Sequence, residues 1–281
     1  MSAKKILLVF AVLLLTLPAL AKNPAKSSVP PSQPVVLRAT PAQEEAGKYI
    51  SIFLLQNHYR KVAVGDSLSG EIFRRYIENL DAGRNYFSAT EIDSLKQTYA
   101  TRIDDEFLAG RSDAGFAIYN FFLKRAREKM LFMRALADTA KFNFSVSETL
   151  DIDRKSDPWP SDRRQLLEQW RKELKYQWLN LKYSDENKKT VKDELIKAQT
   201  SRLNLLGRQK PEDAFQAYIN AVATSFDPHT SYFSPDEYEN FQIDMSRSLE
   251  GIGAKLQTEN EYTVVNEVIP GGPAFRSKIL K

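Results

Sequence analysis

Residues 112–139 read SDAGFAIYNFFLKRAREKMLFMRALADT, and apolar side chains recur in them every three or four positions. The recurring residues are Tyr119, Phe122, Leu123, Ala126, Met130, Met133 and Ala137. This spacing puts them on one face of a long amphipathic α-helix. Aromatic and methionine side chains can also line a cofactor pocket, but at helical spacing they more often form a core. The stretch therefore predicts a helical fold built around an apolar core.

Helical patterns continue on both sides of this stretch, from about residue 44 to residue 225. The predicted helix starts are Ser69, Ser88 with Glu91 at capping-box spacing, Ser161 or Asp162, and Pro211. The motif GRSDAG at residues 110–115 lacks the second glycine of a serine nucleophile loop and lies between helices. We therefore interpret Ser112 and Asp113 as helix caps. The motif GDSLSG at residues 65–70 has the same interpretation.

The first 21 residues have the pattern of a cleavable secretory signal peptide. A basic start precedes an apolar run at residues 6–17, and residues 19–21 form the small-x-small cleavage sequence ALA. The apolar run is too short to span a bilayer, which favours cleavage over the alternative of an uncleaved anchor. We expect an exported, periplasmic protein with no stable membrane insertion after cleavage. Residues 22–43 are rich in proline, serine and alanine and are predicted to form a disordered leader.

Composition argues against several classes of protein. The 281 residues contain no cysteine, so we expect neither a disulfide framework nor lipid attachment at a cysteine. Removal of Lys4 and Lys5 with the signal peptide lowers the formal net charge from +4 to +2. The remaining charges of both signs are interleaved, and no basic block resembles a nucleic-acid arm. We therefore expect no nucleic-acid partner.

Metal and nucleotide motifs are not indicated. The two histidines, His58 and His229, lie far apart, and neither has a second ligand at a metal-binding spacing. The sequence GIGAKL at residues 251–256 lacks the third glycine of a dinucleotide-binding loop. It also precedes a strand-like segment, where that motif needs a helix. We predict no cofactor and no metal.

The final stretch, SLEGIGAKLQTENEYTVVNEVIPGGPAFRSKILK at residues 248–281, changes from the helical period to that of strands. IGAKLQT and YTVVNEVI are predicted strands around a polar turn, and Pro273 is expected to begin a short helix. Gly251 and Gly253 permit positive φ and a close backbone approach, and successive amides in such a loop can bind an anion. A glycine-rich loop that enters a strand can capture the terminal carboxylate of a peptide. An ordinary hairpin with a flexible corner is the alternative interpretation.

Two segments resemble the carboxy-terminal processing peptidase family, in particular its long periplasmic, tail-specific type. One is SFDPHTSYFSPDEYENFQIDMSRSLEGIGAKL at residues 225–256, followed by YTVVNEVIPGGPAFRSKIL; the other is HYRKVAVGDSLSGEIFRRYIENLDAGRNYFSATEID at residues 58–93. The resemblance extends over most of the chain after the leader. It implies a mainly α fold, in which a multi-helix N-terminal domain, residues 44–234, is followed by a linker and an incomplete β-containing PDZ-like segment, residues 235–281.

The resemblance also implies roles for individual residues. The loop that binds the peptide C-terminus would be Leu249, Glu250, Gly251, Ile252 and Gly253, and the strand beside the peptide would be Ala254, Lys255 and Leu256. A family signature matches Asp227, Pro228, His229, Thr230 and Tyr232. We interpret this signature as structural, with Asp-Pro forming a turn and with Tyr232 and Phe233 packing, and not as catalytic.

The resemblance implies the N-terminal part of a periplasmic serine endopeptidase, which recognises protein C-termini through a PDZ domain and hydrolyses peptide bonds. The serine nucleophile and lysine base of the family are expected beyond the PDZ domain, so we expect no catalytic residue in this chain. The expected partners are unfolded or tagged protein C-termini, with an adaptor protein as a further candidate. Two alternatives are a non-catalytic helical scaffold that binds peptide C-termini and an inert product that folds only through its helices.

Overall fold

A computed structural model describes residues 36–184, 191–246, 251–259 and 262–279, and most of these residues are helical. The described helices are α1 (Pro41–Ile52), α2 (Asp66–Leu80), α3 (Ala89–Tyr99), α4 (Ile103–Leu108), α5 (Asp113–Thr139), α6 (Arg163–Ser184), α7 (Val191–Leu206), α8 (Pro211–Phe226), α9 (Pro235–Ser246) and α10 (Pro273–Ser277). A π-helical turn, Phe53–Asn57, continues α1. Strands β1 (Ala254–Glu259) and β2 (Tyr262–Val268) form an antiparallel pair. The prediction of a mainly α fold with a small β segment is confirmed.

The apolar stripe of residues 112–139 forms the inner face of α5, as its spacing predicts. Five of the seven stripe residues are buried: Tyr119, Leu123, Ala126, Met133 and Ala137. Met130 is only partly buried, and the neighbouring Lys129 is buried in its place. Periodicity therefore located the face correctly but missed a charged residue within it.

Two apolar cores lie along α5. The larger one joins the first half of α5 to α2, α4 and α8, and its largest fully buried side chains include Tyr76, Phe87, Phe215, Tyr218 and Phe226. The smaller one joins the second half of α5 to α6 and α7, and its buried members are Met133, Ala137, Leu166, Trp170, Leu174 and Leu195. Because α5 contributes to both cores, this one long helix connects the two halves of the helical body.

Helix α8 is buried around most of its circumference. Its buried residues are Ala214, Phe215, Tyr218, Ile219, Ala221, Val222, Ala223, Ser225 and Phe226. A helix that is apolar on nearly all sides is expected at the centre of a helical domain. Consistent with this position, α8 packs against α1, α2 and α5.

Three predicted helix starts are confirmed. The carboxylate of Glu91 accepts a hydrogen bond from the amide of Ser88 at 3.0 Å, within the predicted capping box of α3. The carboxylate of Asp162 accepts one from the amide of Gln165 at 2.9 Å, immediately before α6. Helix α8 begins at Pro211, as predicted. Local sequence identifies these starts because donor and acceptor lie within three or four residues of each other.

The prediction of Ser69 as an N-cap is wrong. Helix α2 begins at Asp66, with Gly65 at the N-cap, so Ser69 lies inside the first turn and is fully buried. Its hydroxyl accepts a hydrogen bond from the amide of Ile103 at 3.1 Å. The side chain therefore satisfies the first amide of α4, a partner 34 residues away.

Ser112 occupies the predicted N-cap position of α5, but its side chain makes no capping hydrogen bond. The carboxylate of Glu106 in α4 accepts instead from the amide of Ala114, at 2.7 Å. Burial raises the pKa of Glu106, although this hydrogen bond opposes the increase. The cap thus comes from the preceding helix, a long-range substitution that a local motif does not reveal.

The ordered part of the chain begins before the predicted boundary at residue 44. Thr40 and Gln43 form a capping box that starts α1 at Pro41. The buried Leu37 is held to Asn120 of α5 by hydrogen bonds of 2.9 and 2.8 Å through its amide and its carbonyl. These contacts correct the disordered-leader prediction for residues 36–43. The predicted signal peptide and residues 22–35 lie outside the described residues.

Residues 235–246, which the sequence suggests are a linker, form helix α9. Ser234 caps it, because its hydroxyl accepts from the amide of Glu237 at 3.3 Å. The ring of Phe233 stacks on Phe241 with centroids 5.3 Å apart, which agrees with the predicted packing role of Phe233. Among the described helices, none is both long enough and apolar enough to cross a membrane.

The loop between α2 and α3 is organised by the carboxylate of Asp81. It accepts hydrogen bonds from the backbone amides of Asn85, Tyr86 and Phe87 at 2.5, 3.0 and 3.0 Å. Burial raises the pKa of Asp81, although these hydrogen bonds act in the opposite direction. The indole of Trp159 also donates to this carboxylate, at 3.3 Å. One buried acid therefore fixes the loop and holds the segment before α6 against it.

Substitution Gly115→Ala is expected to lower the free energy of unfolding by about 1–3 kcal/mol, the usual cost of overpacking a core. A Cβ at Gly115 would lie 2.3 Å from the ring of Tyr218 in α8. This ring is fully buried, so it cannot move away without disturbing its neighbours. Chemical denaturation of the purified chain measures the change.

The matched control is Gly70→Ala in α2, where a Cβ meets nothing within 4 Å. This change should be neutral or should stabilise by up to about 1 kcal/mol, because alanine is the better helix former. A loss at Gly70 equal to that at Gly115 would contradict the proposed contact between α5 and α8.

Candidate functional site

The predicted strands of the closing stretch form a hairpin. Ala254 pairs with Val268 at one end and Glu259 pairs with Tyr262 at the other, and an irregularity lies between Lys255 and Leu256. The amine of Lys255 bonds to the carboxylate of Glu267 across the strands, at 2.7 Å. Both side chains are more than half exposed, so this pair contributes modestly to the register.

The backbone immediately before β1 is folded against the turn that follows β2. We call residues 251–253 the glycine loop. The carbonyl of Ile252 accepts from the amide of Ala274 at 2.8 Å, and the carbonyl of Gly253 accepts from the amide of Ile269 at 2.9 Å. These two bonds hold the loop in place through its carbonyl groups.

Gly253 is the residue that permits this arrangement. Its φ of +74° lies in the left-handed region that disfavours residues with a Cβ. A Cβ there would also lie 2.9 Å from Cδ of Pro273 and 3.0 Å from Cα of Gly272. Gly251 differs in both respects, since its φ lies outside the left-handed region and a Cβ there meets nothing within 4 Å.

In the glycine loop, the backbone amides and the backbone carbonyls differ in whether they have hydrogen-bond partners. The described residues contain no hydrogen-bond acceptor for the amides of Ile252 and Gly253. The loop is also accessible: Gly251 is exposed, and the side chain of Ile252 is 56% exposed. The loop thus has donors available to a ligand, with its acceptors already occupied.

The described residues of the predicted loop and strand lie together at one end of the hairpin: Gly251, Ile252, Gly253, Ala254, Lys255 and Leu256. Leu256 is 54% exposed, whereas Ala254 is half-buried. Leu249 and Glu250, the first two residues of the predicted loop, lie outside the described residues. The proximity of the described residues follows from chain continuity.

A second set of residues joins the end of α8 to the segment after α1. We call this set the clasp; it consists of residues 58–60 and 227–230. The hydroxyl of Tyr59 donates to Asp227 at 2.8 Å, and the guanidinium of Arg60 donates to the carbonyl of Phe226 at 2.9 Å. Nε2 of His58 lies 3.0 Å from the hydroxyl of Thr230.

The carboxylate of Asp227 organises its own turn as well as the clasp. It accepts from the amide of His229 at 3.0 Å and from the hydroxyl of Thr230 at 3.3 Å. The hydrogen bond from Tyr59 is the main cause that lowers the pKa of Asp227, and the contacts with His229 and Thr230 add to it. These contacts agree with a structural role for the Asp-Pro-His-Thr signature.

Tyr232 attaches the rest of the signature to α8. Its amide donates to the side-chain oxygen of Asn220 at 2.7 Å, and its hydroxyl donates to Glu212 at 3.0 Å. Its ring meets Phe215 edge-on, with centroids 5.5 Å apart. The predicted packing of Tyr232 is confirmed.

Neither histidine stands in a metal-binding arrangement. His58 is buried in the clasp, with Nδ1 lying 3.0 Å from the carbonyl of Arg60. Within the part of the chain that the structure describes, no group of three or more histidine or acidic side chains could hold a metal ion. Ser112 also has no histidine or lysine partner in the hydrogen bonds of this part of the chain.

Comparison with known proteins identifies the family. Residues 50–236 match the family model described as the tail specific protease N-terminal domain. The chain is also 34% identical over 264 residues to a curated tail-specific protease from Haemophilus influenzae. The chain belongs to the tail-specific protease family. The matched region covers 94% of this chain and 37% of the relative, so the chain spans about 37% of the relative's length.

The family model ends close to the start of α9. The matched region therefore contains both sides of the clasp and the helical body from the end of α1 onward. The glycine loop and the hairpin follow the matched residues.

Sequence reasoning missed two contributors to these sites. Gly272 lies directly against the backbone of Gly253. The paired glycines of PGGP at residues 270–273 could have indicated this close approach of two backbone segments. Tyr59 donates to Asp227 from 168 residues away, and no local pattern marks it. Such a contact is set by the packing of α1 against α8 and emerges only from the fold.

Substitution Gly253→Ala is expected to release the glycine loop from the turn after β2. The added Cβ is disfavoured by the positive φ and by the contacts with Gly272 and Pro273. Hydrogen exchange at the amides of Ile269 and Ala274, which donate to the loop carbonyls, should become at least about tenfold faster, as expected for a loss of about 1.4 kcal/mol or more.

Gly251→Ala is the matched control, because it adds the same methyl group where a Cβ has open space. It should leave the protection of Ile269 and Ala274 unchanged. Equal acceleration by both substitutions would show that the conformation of Gly253 does not hold the loop.

Substitution Tyr59→Phe is expected to weaken the clasp in a pH-dependent way. The lowered pKa of Asp227 means that the native state favours the ionised carboxylate. This contribution is fully present above the ordinary pKa of an aspartate and is lost as the pH falls through the lower folded-state value. Tyr59→Phe should therefore lower the unfolding temperature at pH 7, and the difference from the unsubstituted chain should shrink towards acidic pH.

Tyr49→Phe serves as the control, because Tyr49 is exposed and its hydroxyl makes only a long hydrogen bond of 3.5 Å, to the exposed Glu45. It should alter the unfolding temperature little at any pH. A Tyr59→Phe effect that stays constant across the acidic range would rule out the ionised Asp227 as the relevant partner.

Proposed function

We propose that this chain is the N-terminal part of a periplasmic serine endopeptidase that recognises the C-terminal tails of proteins through a PDZ domain. The membership in the tail-specific protease family supports a role in proteolysis. The observation that carries the recognition step is the glycine loop, whose amides have no acceptor among the described residues while its carbonyls are occupied. Unpaired main-chain donors in an accessible loop match the chemistry of a terminal carboxylate.

In the proposed complex, the carboxylate of the tail accepts hydrogen bonds from the amides of the glycine loop. The preceding residues of the tail then pair with β1, whose described neighbour in the sheet is β2 on one edge alone. Addition of a strand to a free sheet edge supplies main-chain hydrogen bonds that do not depend on the tail's sequence. The exposed side chains of Ile252 and Leu256 are available to contact an apolar terminal residue.

Hydrolysis in this proposal proceeds by attack of a serine hydroxyl on the peptide carbonyl, with a neutral lysine amine as the base. We assign neither group to residues 1–281 and place both in a later part of the whole protease. A lysine base must be desolvated to be neutral near pH 7. Lys129 is buried, but its ion pair with Glu173 at 2.7 Å favours the charged amine and opposes the neutral form that a base needs.

The proposal also includes a periplasmic location and protein substrates as partners. The basic and apolar start of the chain with its ALA sequence supports export to the periplasm through a cleaved signal peptide. The substrates are proteins with unfolded or tagged C-termini, and an adaptor protein is a further candidate partner. The interleaved surface charge supports no role for nucleic acid.

The test is whether the chain binds a peptide in a manner that depends on the peptide's free carboxylate. A fluorescent peptide that ends in apolar residues should bind weakly and saturably, and the same peptide with an amidated C-terminus should bind at least about tenfold less tightly, since each charge-assisted hydrogen bond contributes about 1.5–3 kcal/mol. Fluorescence anisotropy measures both affinities.

Gly253→Ala should weaken binding of the free-acid peptide, because it changes the direction of the loop amides. Gly207→Ala at the end of α7 is a matched control, since a Cβ there meets neighbours only at ordinary contact distances of 3.5 Å or more. Equal affinity for the free-acid and amidated peptides would refute carboxylate recognition by the loop.

A further inference from the structure

A polar cavity lies in the helical body, away from the hairpin. It has a volume of about 290 Å³ and is enclosed by α5, α6, α7 and the loop before α3. Its polar lining consists of Asn85, Tyr86, Lys129, Glu173, Gln199 and Arg202. The family membership and the proposed recognition of C-termini assign no role to these residues.

Gln199 is the first observation that points to a ligand. This side chain is completely buried in α7, and both its amide nitrogen and its amide oxygen have no hydrogen-bond partner among the described residues. A buried polar group left unpaired costs about 1–3 kcal/mol, so such groups are normally satisfied by something in the native state. Since Gln199 lines the cavity, a group bound there is positioned to supply its missing donor and acceptor.

The charges of the lining are the second observation. Lys129 donates to Glu173 at 2.7 Å and to the side-chain oxygen of Asn85 at 3.1 Å. Arg202 is exposed at the rim, and the described residues include no ion-pair partner for it. Two cations therefore face one carboxylate, and the formal charge of the lining is positive.

The lowered pKa of Lys129 agrees with an excess of positive charge in the cavity lining. Burial is the main cause that lowers its pKa, and the guanidinium of Arg154 acts in the same direction, while Glu173 opposes both. Arg154 reaches the same region through Asn85, whose side-chain oxygen accepts from it at 2.5 Å. An added negative charge in the cavity would compensate for this desolvated cation.

The cavity is held by a rigid frame. The indole of Trp170, at the centre of the smaller core, donates to the carbonyl of Asn85 at 2.7 Å, and Gln169 donates to the carbonyl of Arg84 at 2.7 Å. Asp81 holds the amides of the same loop, as described above. The polar lining is therefore positioned before any ligand enters, which lowers the entropic cost of binding.

We propose that this cavity binds a small organic acid that carries a hydroxyl or an amino group next to its carboxylate. The carboxylate lies between Lys129 and Arg202 and accepts a hydrogen bond from the amide nitrogen of Gln199. The hydroxyl or amino group donates to the amide oxygen of Gln199. A ligand of this class satisfies both atoms of Gln199 and places a carboxylate between the two cations, which neither a simple cation nor an apolar molecule does. A hydroxy acid also neutralises the surplus charge, because it has a net negative charge that a zwitterionic amino acid lacks.

Isothermal titration calorimetry on the whole chain tests the proposal with lactate and glycine as probes. Each should bind saturably at constant ionic strength. Propionate and acetate, which match lactate and glycine in size but lack the second polar group, should bind several-fold more weakly because the oxygen of Gln199 stays unpaired. If neither lactate nor glycine binds, the cavity contains only water and the proposal is overturned.

Variants locate the binding. Arg202→Gln should weaken lactate binding by about tenfold or more, since it removes a charge-assisted hydrogen bond. Arg208→Gln is the matched control, because Arg208 is also exposed at the end of α7 but lies outside the cavity. Equal effects of the two variants would show a nonspecific charge effect and would overturn the assigned site.

The variant Gln199→Leu tests the site independently of Arg202. It keeps the approximate volume of the side chain and removes both polar atoms. It should abolish the preference for lactate over propionate, while an unchanged unfolding profile shows that the variant folds. A preference that survives this substitution would remove Gln199 from the proposed site.

Discussion

At one point in the core, the backbone of α5 lies directly against the ring of Tyr218 in α8, because Gly115 has no side chain. The hydroxyl of Tyr76 in α2 donates to the carbonyl of Gly115 at 3.0 Å, and the rings of Tyr76 and Tyr218 meet edge-on at 5.6 Å. Three helices are thereby held in register by one close contact. Since a well-packed core tolerates little change in volume, this contact determines where the C-terminal end of α8 lies. Both sides of the clasp depend on that position.

The clasp extends this constraint from the core to the surface. From the segment after α1, Tyr59 donates to Asp227, which directly follows α8, and Arg60 donates to the carbonyl of Phe226, the last residue of α8. These partners are 168 and 166 residues apart in the chain. Long-range hydrogen bonds of this kind close a large part of the chain into one unit, so the beginning and the end of the helical body are fastened together. The segment that leads to the hairpin thus leaves the body from a fixed position. Tyr232 strengthens this attachment through its contacts with α8.

Sequence patterns predicted the features that depend on residues close together in the chain. They missed the features that depend on contacts between distant residues. Periodicity identified the inner face of α5, and alternation together with turn residues identified the two strands. The errors at Ser69 and Ser112 share one cause: a hydroxyl before or within the first turn of a helix has several backbone partners available, and tertiary packing decides among them. Ser69 binds the amide of Ile103 in another helix, and Glu106 replaces Ser112 as the cap of α5. For the glycine loop, the glycines were visible in the sequence, but which of them takes a positive φ depends on the approach of Gly272.

The glycine loop and the polar cavity present two different kinds of binding group. At the loop, the available groups are backbone amides, whose directions are set by the φ of Gly253, so substitution of a neighbouring side chain changes them only through the backbone. In the cavity, they are side chains from α5, α6 and α7, and the smaller core holds them in place through Trp170. The two sets of lining residues do not overlap. Occupation of the cavity would therefore stabilise the packing of α5, α6 and α7, whereas occupation of the loop would order the hairpin.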